Sequence, residues 1–267
     1  MKRGINLRLL VSAVRYLNTW PLVWGFLHGP QHGKFQFRFD LPVDCALALG
    51  QGRADIGLVP CAELDRLGMG FFPGLGIATE GPVRSILLIS TKPFREIRTL
   101  AADAGSRTSV ALTRILLREV YGCKPFITRT LPDLKAMLAA ADAALIIGDP
   151  ALRIDPADLG ELHVLDLGEA WVNWSGLPMV FAVWAAKEEF LRPEIESLFR
   201  ESYEWGRGRI GEMLPLAEKE RGFDRELVLG YLTRNIVYEL GPEHLSGLGM
   251  FRKLAAGLEP IEIVAGL

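Results

Sequence analysis

The chain is poor in the residues most often used for demanding chemistry. Its 267 residues include three cysteines and four histidines. Cys45, Cys61 and Cys123 are far apart and form no CxxC pair, so they suggest neither a disulfide framework nor a thiolate metal site. A reducing, cytoplasmic setting is expected. His28, His32, His163 and His244 show no HExxH or paired carboxylate spacing, so a metal hydrolase would lack its ligands and no metal is expected. Gly105 in "DAGS" belongs to no GxGxxG or Walker sequence, and the chain holds no GxSxG, so no cofactor is expected either. Lys and Arg are scattered, and the net charge of -2 leaves no footprint for a polyanion. Nucleic acid is therefore not an expected partner. No uninterrupted apolar run approaches the roughly 20 residues needed to cross a bilayer, so no membrane association is expected. The opening "MKRGINLRLLVSAV" imitates a signal peptide, but Arg8 cuts its apolar run to Leu9 through Val14, which reads as the first strand. Low-complexity linkers and fixed-period repeats are absent as well.

What is present is an ordinary globular composition, 49% hydrophobic and 23% charged, sufficient for one large domain or two modest lobes. Short strand patterns alternate with helical ones: residues 9–14, 35–39, 54–60 and 84–90, with "TWPLVWGFLHG" and "PVDCALALGQG" as crossover helices. Pro21 near a first turn and Gly29 at a stop follow the usual asymmetry of helix ends. The alternation restarts with strands at 99–103, 125–129 and 143–149 and helices at about 106–121 and 132–141. A strand "MVFAVWAA" (179–186) precedes a helical tail of about 80 residues. Without a linker, two α/β lobes must exchange strands, and "RSILLIS" and "MVFAVWAA" are the expected crossovers. The expected division is residues 1–87 plus 183–267 in one discontinuous lobe, and an inserted lobe of 88–182. The ligand cleft is expected between them, at the carboxyl ends of the strands.

Polar residues follow several of these strands. Asn18 and Thr19, after the first, read as N-caps of the next helix or as groups facing a ligand. The two readings are compatible if Thr19 and Pro21 start the helix while Asn18 faces the cleft. Ser106, Thr108 and Ser109 open an apolar-periodic helix, a setting for a carboxylate or phosphate and equally for a capping cluster. Arg84 and Ser85 begin "RSILLIS" and, by strand alternation, cannot face the same way; Ser85 is read as inward. Arg84 is either a bidentate partner for a carboxylate or a surface residue. Asp149 in "IIGDP" stands at a strand end or starts a turn. Asp55 and Glu63 are weaker candidates, and Trp171 with Trp174 forms a stacking wall or core packing.

"SAVRYLNTWPL" and "ADIGLVPCAEL" together closely resemble the chorismate dehydratases of the futalosine route to menaquinone, whose pattern opens with a strand leading into Ser-x-Val-x-Tyr-Leu-Asn-Thr-x-Pro-Leu. "GPVRSILLIS", "SRTSVALTRILL" and "ALIIGDPAL" follow in that family's order, so the resemblance covers essentially the whole chain. It implies an α/β, two-lobed fold of the type II periplasmic-binding-protein kind, with two crossover strands and a helical C-terminal region. It also implies a hydro-lyase that converts chorismate to 3-[(1-carboxyvinyl)oxy]benzoate. By the same resemblance Asn18 and Ser85 are expected to be catalytic, and Arg15, Thr19, Ser106, Thr108, Ser109 and Asp149 to contact substrate. Arg15 departs from the small polar residue common there, and either adds a cationic contact to a carboxylate or points to solvent. A homodimer is compatible with the sequence. The competing readings are the sister enzyme that makes 1,4-dihydroxy-6-naphthoate, which opens with a different motif, and a non-catalytic binding protein for a small carboxylate.

Overall fold

The structure, a computed structural model, describes residues 9–259, so the basic opening before Leu9 lies outside the described residues. The chain begins β1 (Leu10–Val14), α1 (Trp20–His28), β2 (Gln36–Asp40), α2 (Pro42–Gly50), β3 (Ile56–Pro60), α3 (Leu64–Leu67) and β4 (Gly70–Thr79). It continues through β5 (Ile86–Ser90), β6 (Thr99–Asp103), α4 (Arg107–Glu119), β7 (Phe126–Thr130), α5 (Leu134–Ala140), β8 (Ala143–Ile147) and α6 (Gly148–Leu152). Then come β9 (His163–Asp166), α7 (Leu167–Ser175), β10 (Met179–Ala186), α8 (Pro193–Arg207), α9 (Ile210–Arg221), α10 (Arg225–Gly230), β11 (Val237–Glu239) and α11 (Pro242–Ala256). No described helix is long and apolar enough to cross a membrane.

Two compact units divide these elements. The first comprises Met1–Ile77, Ala182–Arg234 and Tyr238–Leu240; the second comprises Ala78–Phe181, Asn235–Val237 and Gly241–Leu267. The six-stranded sheet runs β11-β4-β10-β3-β1-β2, with β2, β1 and β3 parallel and β10 antiparallel to β3. β3 is buried throughout and β1 nearly so, hence their continuous apolar sequences rather than an alternating pattern. In the first unit α1 packs against α8 at very short range. A Cβ added at Gly25 would come within 2.5 Å of the Ser202 backbone, and one at Gly206 would collide with the Pro21 carbonyl. Buried Ser202 donates to the Leu22 carbonyl at 2.9 Å and accepts the Phe26 N–H at 3.1 Å, which fixes α1 and the turn that leads into it.

The second unit holds a five-stranded sheet ordered β7-β6-β8-β5-β9. β7, β6 and β8 are parallel, and β5 runs antiparallel to both β8 and β9. Leu87, Ile89, Ala101, Ala144 and Ile146 from the strands close over Met137 of α5 and Ala151 of α6 in one buried cluster.

This division corrects the expected one of 1–87, 88–182 and 183–267. Its first boundary falls inside β4, at 77/78, and its second inside β10, at 181/182. "RSILLIS" is not a crossover: β5 sits between β8 and β9, so it belongs wholly to the five-stranded sheet. The last helix, α11, joins the second unit as well. The physical reason is packing, since Phe251 of α11 meets the buried Trp171 ring edge-on at 6.2 Å and Gly247 leaves no room for a Cβ beside the Pro178 carbonyl.

Candidate active site

In the first unit the carboxyl ends of β1, β2 and β3 share one end of the sheet. Asp40 at the end of β2 ties two strands together. Its Oδ2 accepts the Ser12 hydroxyl at 2.6 Å, its carboxylate takes the Arg38 guanidinium in two bonds of 2.5 and 2.7 Å, and its carbonyl accepts the Arg15 N–H at 3.0 Å. Arg38 holds the Asp40 carboxyl below its ordinary value. Behind this network burial pushes the Cys45 thiol up to about 12.

The segment after β1 carries Arg15, Asn18 and Thr19. The Arg15 side chain is exposed, while its carbonyl accepts from Arg221 at 2.8 Å; that guanidinium lies 4.9 Å over the Trp20 ring. The capping reading of Asn18 and Thr19 is not realised. The N-cap position of α1 falls on Thr19, whose side chain makes no cap hydrogen bond. Instead, Asn18 Oδ1 and Thr19 Oγ1 are buried with no hydrogen-bond partner among the described residues. An orphaned buried acceptor or donor costs about 1–3 kcal/mol. Two of them on consecutive residues mark a spot that lacks its polar counterpart.

In the second unit the start of β5, the ends of β6 and β8 and the end of β9 lie at one end of the sheet. Ser85 is buried, and its carbonyl accepts the Gly148 N–H at 2.8 Å, which sets it beside the first turn of α6 where Asp149 stands. The turn after β6 is closed by Asp103, whose Oδ1 accepts the Gly105 N–H at 2.8 Å. Ser106 then N-caps α4, its hydroxyl oxygen accepting the Ser109 N–H at 3.1 Å. Here the capping reading is realised. Thr108 donates to the Phe181 carbonyl at 3.4 Å, and all three hydroxyl residues are buried.

The weaker candidates take structural places. Asp55 accepts the Leu10 N–H at 2.8 Å, at the end of β1 opposite Asn18, and buried Glu63 takes the Arg66 guanidinium at 2.6 Å. Trp171 is core: its indole N–H donates to Pro178, and its ring packs edge-on against Trp174 and Phe251. So the first unit gathers Arg15, Asn18 and Thr19 in one turn, and the second gathers Ser85, Asp149 and the Ser106 turn at one sheet end.

Asp166 was not a candidate by sequence. Its carboxylate accepts four backbone N–H groups, from Val83 (3.0 Å), Arg84 (2.6 Å), Gly168 (2.9 Å) and Glu169 (3.1 Å). Burial pushes its carboxyl up, against those four donors. "DLGE" carries the signature of a helix N-terminus, an Asp followed three residues later by a Glu. The sequence shows nothing of the remote Val83 and Arg84 donors. Arg84 has φ of 66° and is the one non-glycine residue with positive φ among those described. Such strain costs of order 1–3 kcal/mol and persists only where the surroundings impose it.

Two α/β units between which the chain passes within β4, β10 and β11, with polar residues at strand ends, give this chain the periplasmic-binding-protein-like fold. Solved structures agree: the periplasmic aliphatic sulphonate binding protein of Escherichia coli superposes with a TM-score of 0.64 at 16% identity, covering 92% of this chain and 85% of its own. A protein of Archaeoglobus fulgidus superposes with a TM-score of 0.75 at 16% identity, over 93% of this chain and 96% of its own. Within that class the chain belongs to the menaquinone biosynthesis family, whose model matches residues 9–257. The chorismate dehydratase of Thermus thermophilus is 32% identical over 263 residues, covering 91% of this chain and 93% of that protein.

Proposed function

We propose that this protein is a chorismate dehydratase, a hydro-lyase acting in the futalosine route to menaquinone. The observation that carries the reading is the likeness to the Thermus enzyme across nearly the full length of both chains. The orphaned Asn18 Oδ1 adds physical support, because a substrate hydroxyl would supply the donor it lacks.

Chorismate holds a cyclohexadiene ring with a hydroxyl at C4 and an enolpyruvyl ether at C3. Loss of the C3 proton and the C4 hydroxyl as water leaves an aromatic ring, 3-[(1-carboxyvinyl)oxy]benzoate, so the reaction is strongly downhill. Orientation then matters more than a strong protein base, and good positioning can contribute about 7–11 kcal/mol. In this proposal Asn18 hydrogen-bonds the ring substituents at the point of elimination and Ser85 orients the departing hydroxyl. The N-terminus of α4, with Ser106, Thr108 and Ser109, receives the ring carboxylate, which takes no part in proton transfer. The C3 proton passes to the substrate's own enolpyruvyl carboxylate, with Asp149 the alternative acceptor. Arg15 and Thr19 complete the substrate contacts. No disulfide joins the three cysteines among the described residues, in keeping with the reducing, cytoplasmic setting proposed for this enzyme.

Incubation of the purified protein with chorismate, followed by mass spectrometry, tests the assignment. The expected product is lighter by one water and aromatic in its ultraviolet spectrum. Saturable binding with unchanged chorismate would make it a binding protein instead.

A further inference from the structure

We infer that the Arg84 guanidinium receives the ring carboxylate of the substrate and that Asp166 positions it there. The inference rests on the chorismate reading above and adds to it a binding residue.

An ordinary surface arginine keeps its charged head in water. Arg84 is only partly exposed, and its Nη1 is buried with no hydrogen-bond partner among the described residues. A guanidinium nitrogen taken out of water without an acceptor lacks a negative partner, and a carboxylate fits its planar fork in two parallel bonds.

The backbone is held for the same purpose. Left-handed φ is unfavourable for arginine, yet the Asp166 carboxylate clamps the N–H groups of Val83 and Arg84 while capping α7 through Gly168 and Glu169. Asn235 donates to the Pro82 carbonyl at 2.9 Å, pinning the preceding residue. A Cβ at position 168 would come within 2.8 Å of the Gly81 carbonyl, so the start of α7 can lie against this turn only as glycine. Arg84 therefore projects from a turn fixed on three sides, one residue before the buried Ser85.

Chorismate offers two carboxylates, and the chemistry chooses between them. A guanidinium beside the enolpyruvyl carboxylate would lower its basicity and spoil it as proton acceptor. The ring carboxylate takes no part in proton transfer, so a charge there binds ground state and transition state alike. Such uniform binding appears in KM and leaves kcat in place.

The test compares wild type with Arg84→Gln, Arg84→Lys and Arg84→Gly. Chorismate kinetics are combined with calorimetric binding of 3-hydroxybenzoate, which has the ring carboxylate and no enolpyruvyl group. Arg84→Gln and Arg84→Gly are expected to raise KM and the 3-hydroxybenzoate Kd about 10–100-fold with kcat within about threefold, and Arg84→Lys to fall between. Arg84→Gly should also melt higher than wild type, since it relieves the φ strain. With Arg84→Gln in place, adding Asp166→Asn should raise KM no further; an additive rise would make Asp166 merely structural and overturn its positioning role. Unchanged KM and Kd in the Arg84 variants, or no binding of 3-hydroxybenzoate by wild type, overturns the inference. If wild type leaves chorismate intact yet binds 3-hydroxybenzoate in an Arg84-dependent way, the dehydratase reading fails and the carboxylate site stands. Turnover by wild type with indifferent Arg84 variants gives the reverse.

Discussion

The carbonyl of Ser85 accepts the N–H of Gly148 at 2.8 Å, and Gly148 makes that bond with φ of 64°. The bond extends the antiparallel ladder of β5 and β8 one step past the Ile86–Ile147 pair, where the strands have ended. It therefore ties Ser85 to the start of α6. A side chain at position 148 would strain a left-handed residue by about 1–2 kcal/mol. Gly148→Ala is expected to melt several degrees lower, at about 2–4 °C per kcal/mol for a chain of this size. Its chorismate turnover, measured well below the melting temperature, should fall too, because Ser85 shifts with the carbonyl. A mutant that melts lower but turns over normally would show that Ser85 tolerates the shift.

Asn18 and Thr19 are predicted to trade stability for activity. Neither Oδ1 nor Oγ1 has a partner among the described residues, so removing them relieves a desolvation penalty of about 1–3 kcal/mol per group. Thr19→Val should unfold at equal or higher urea concentration than wild type. Asn18→Ala should lose turnover by about 10²-fold or more, the scale of one lost hydrogen bond to developing charge, without a matching loss of stability. A destabilised Asn18→Ala that still dehydrates chorismate at the normal rate would contradict the assigned role.

Strands with strong apolar or β-branched runs were legible in the sequence, and with them most of the element order. β4 was not, because Gly70, Pro73, Gly74 and Gly76 read as turn residues. Their reason is tertiary: a Cβ at Gly76 would meet the Ala182 carbonyl at 2.5 Å, and one at Gly74 would collide with the Arg200 guanidinium. Losing β4 moved the expected crossover to β5 and shifted the boundary by ten residues. β11 has three residues and was absorbed into a helical reading of "LGYLTRNIVYEL". At the site, hydroxyls and amides could be nominated from strand ends. Whether each capped a helix turned on a local geometry that one sequence does not carry, and the outcomes differ: Ser106 caps, Asn18 and Thr19 do not.

The thiols should react in a fixed order. Cys45 and Cys61 are fully buried and so out of reach of a reagent outside, and burial also pushes Cys45 up to about 12. Cys123 is partly exposed; its thiol donates to the Phe94 carbonyl at 3.2 Å, and burial raises its pKa. Titration with an aromatic disulfide is expected to modify Cys123 alone, slowly, in the folded protein, and all three after denaturation. Fast native labelling of Cys45 would mean that α2 opens readily from β1 and β3.

Asp142 predicts how acid acts on the second unit. Its Oδ2 accepts the N–H groups of Arg98 and Thr99 at 2.9 and 3.0 Å, and Lys92 lies 2.7 Å from Oδ1. Lys92 and those N–H donors hold its carboxyl well below the ordinary value. Because the folded pKa is depressed, the stabilisation is complete above the unfolded value of about 3.9 and is lost as pH falls through the folded one. Lys92 is half exposed, so the ion pair itself contributes less than about 1 kcal/mol and the two backbone bonds supply the rest. Asp142→Asn keeps the shape and removes the charge. It should lose about 1–3 kcal/mol in urea unfolding at neutral pH. The gap to wild type should narrow progressively below about pH 4, as the wild-type carboxylate takes up its proton. A gap that stays constant with pH would assign the clamp to shape and not to charge.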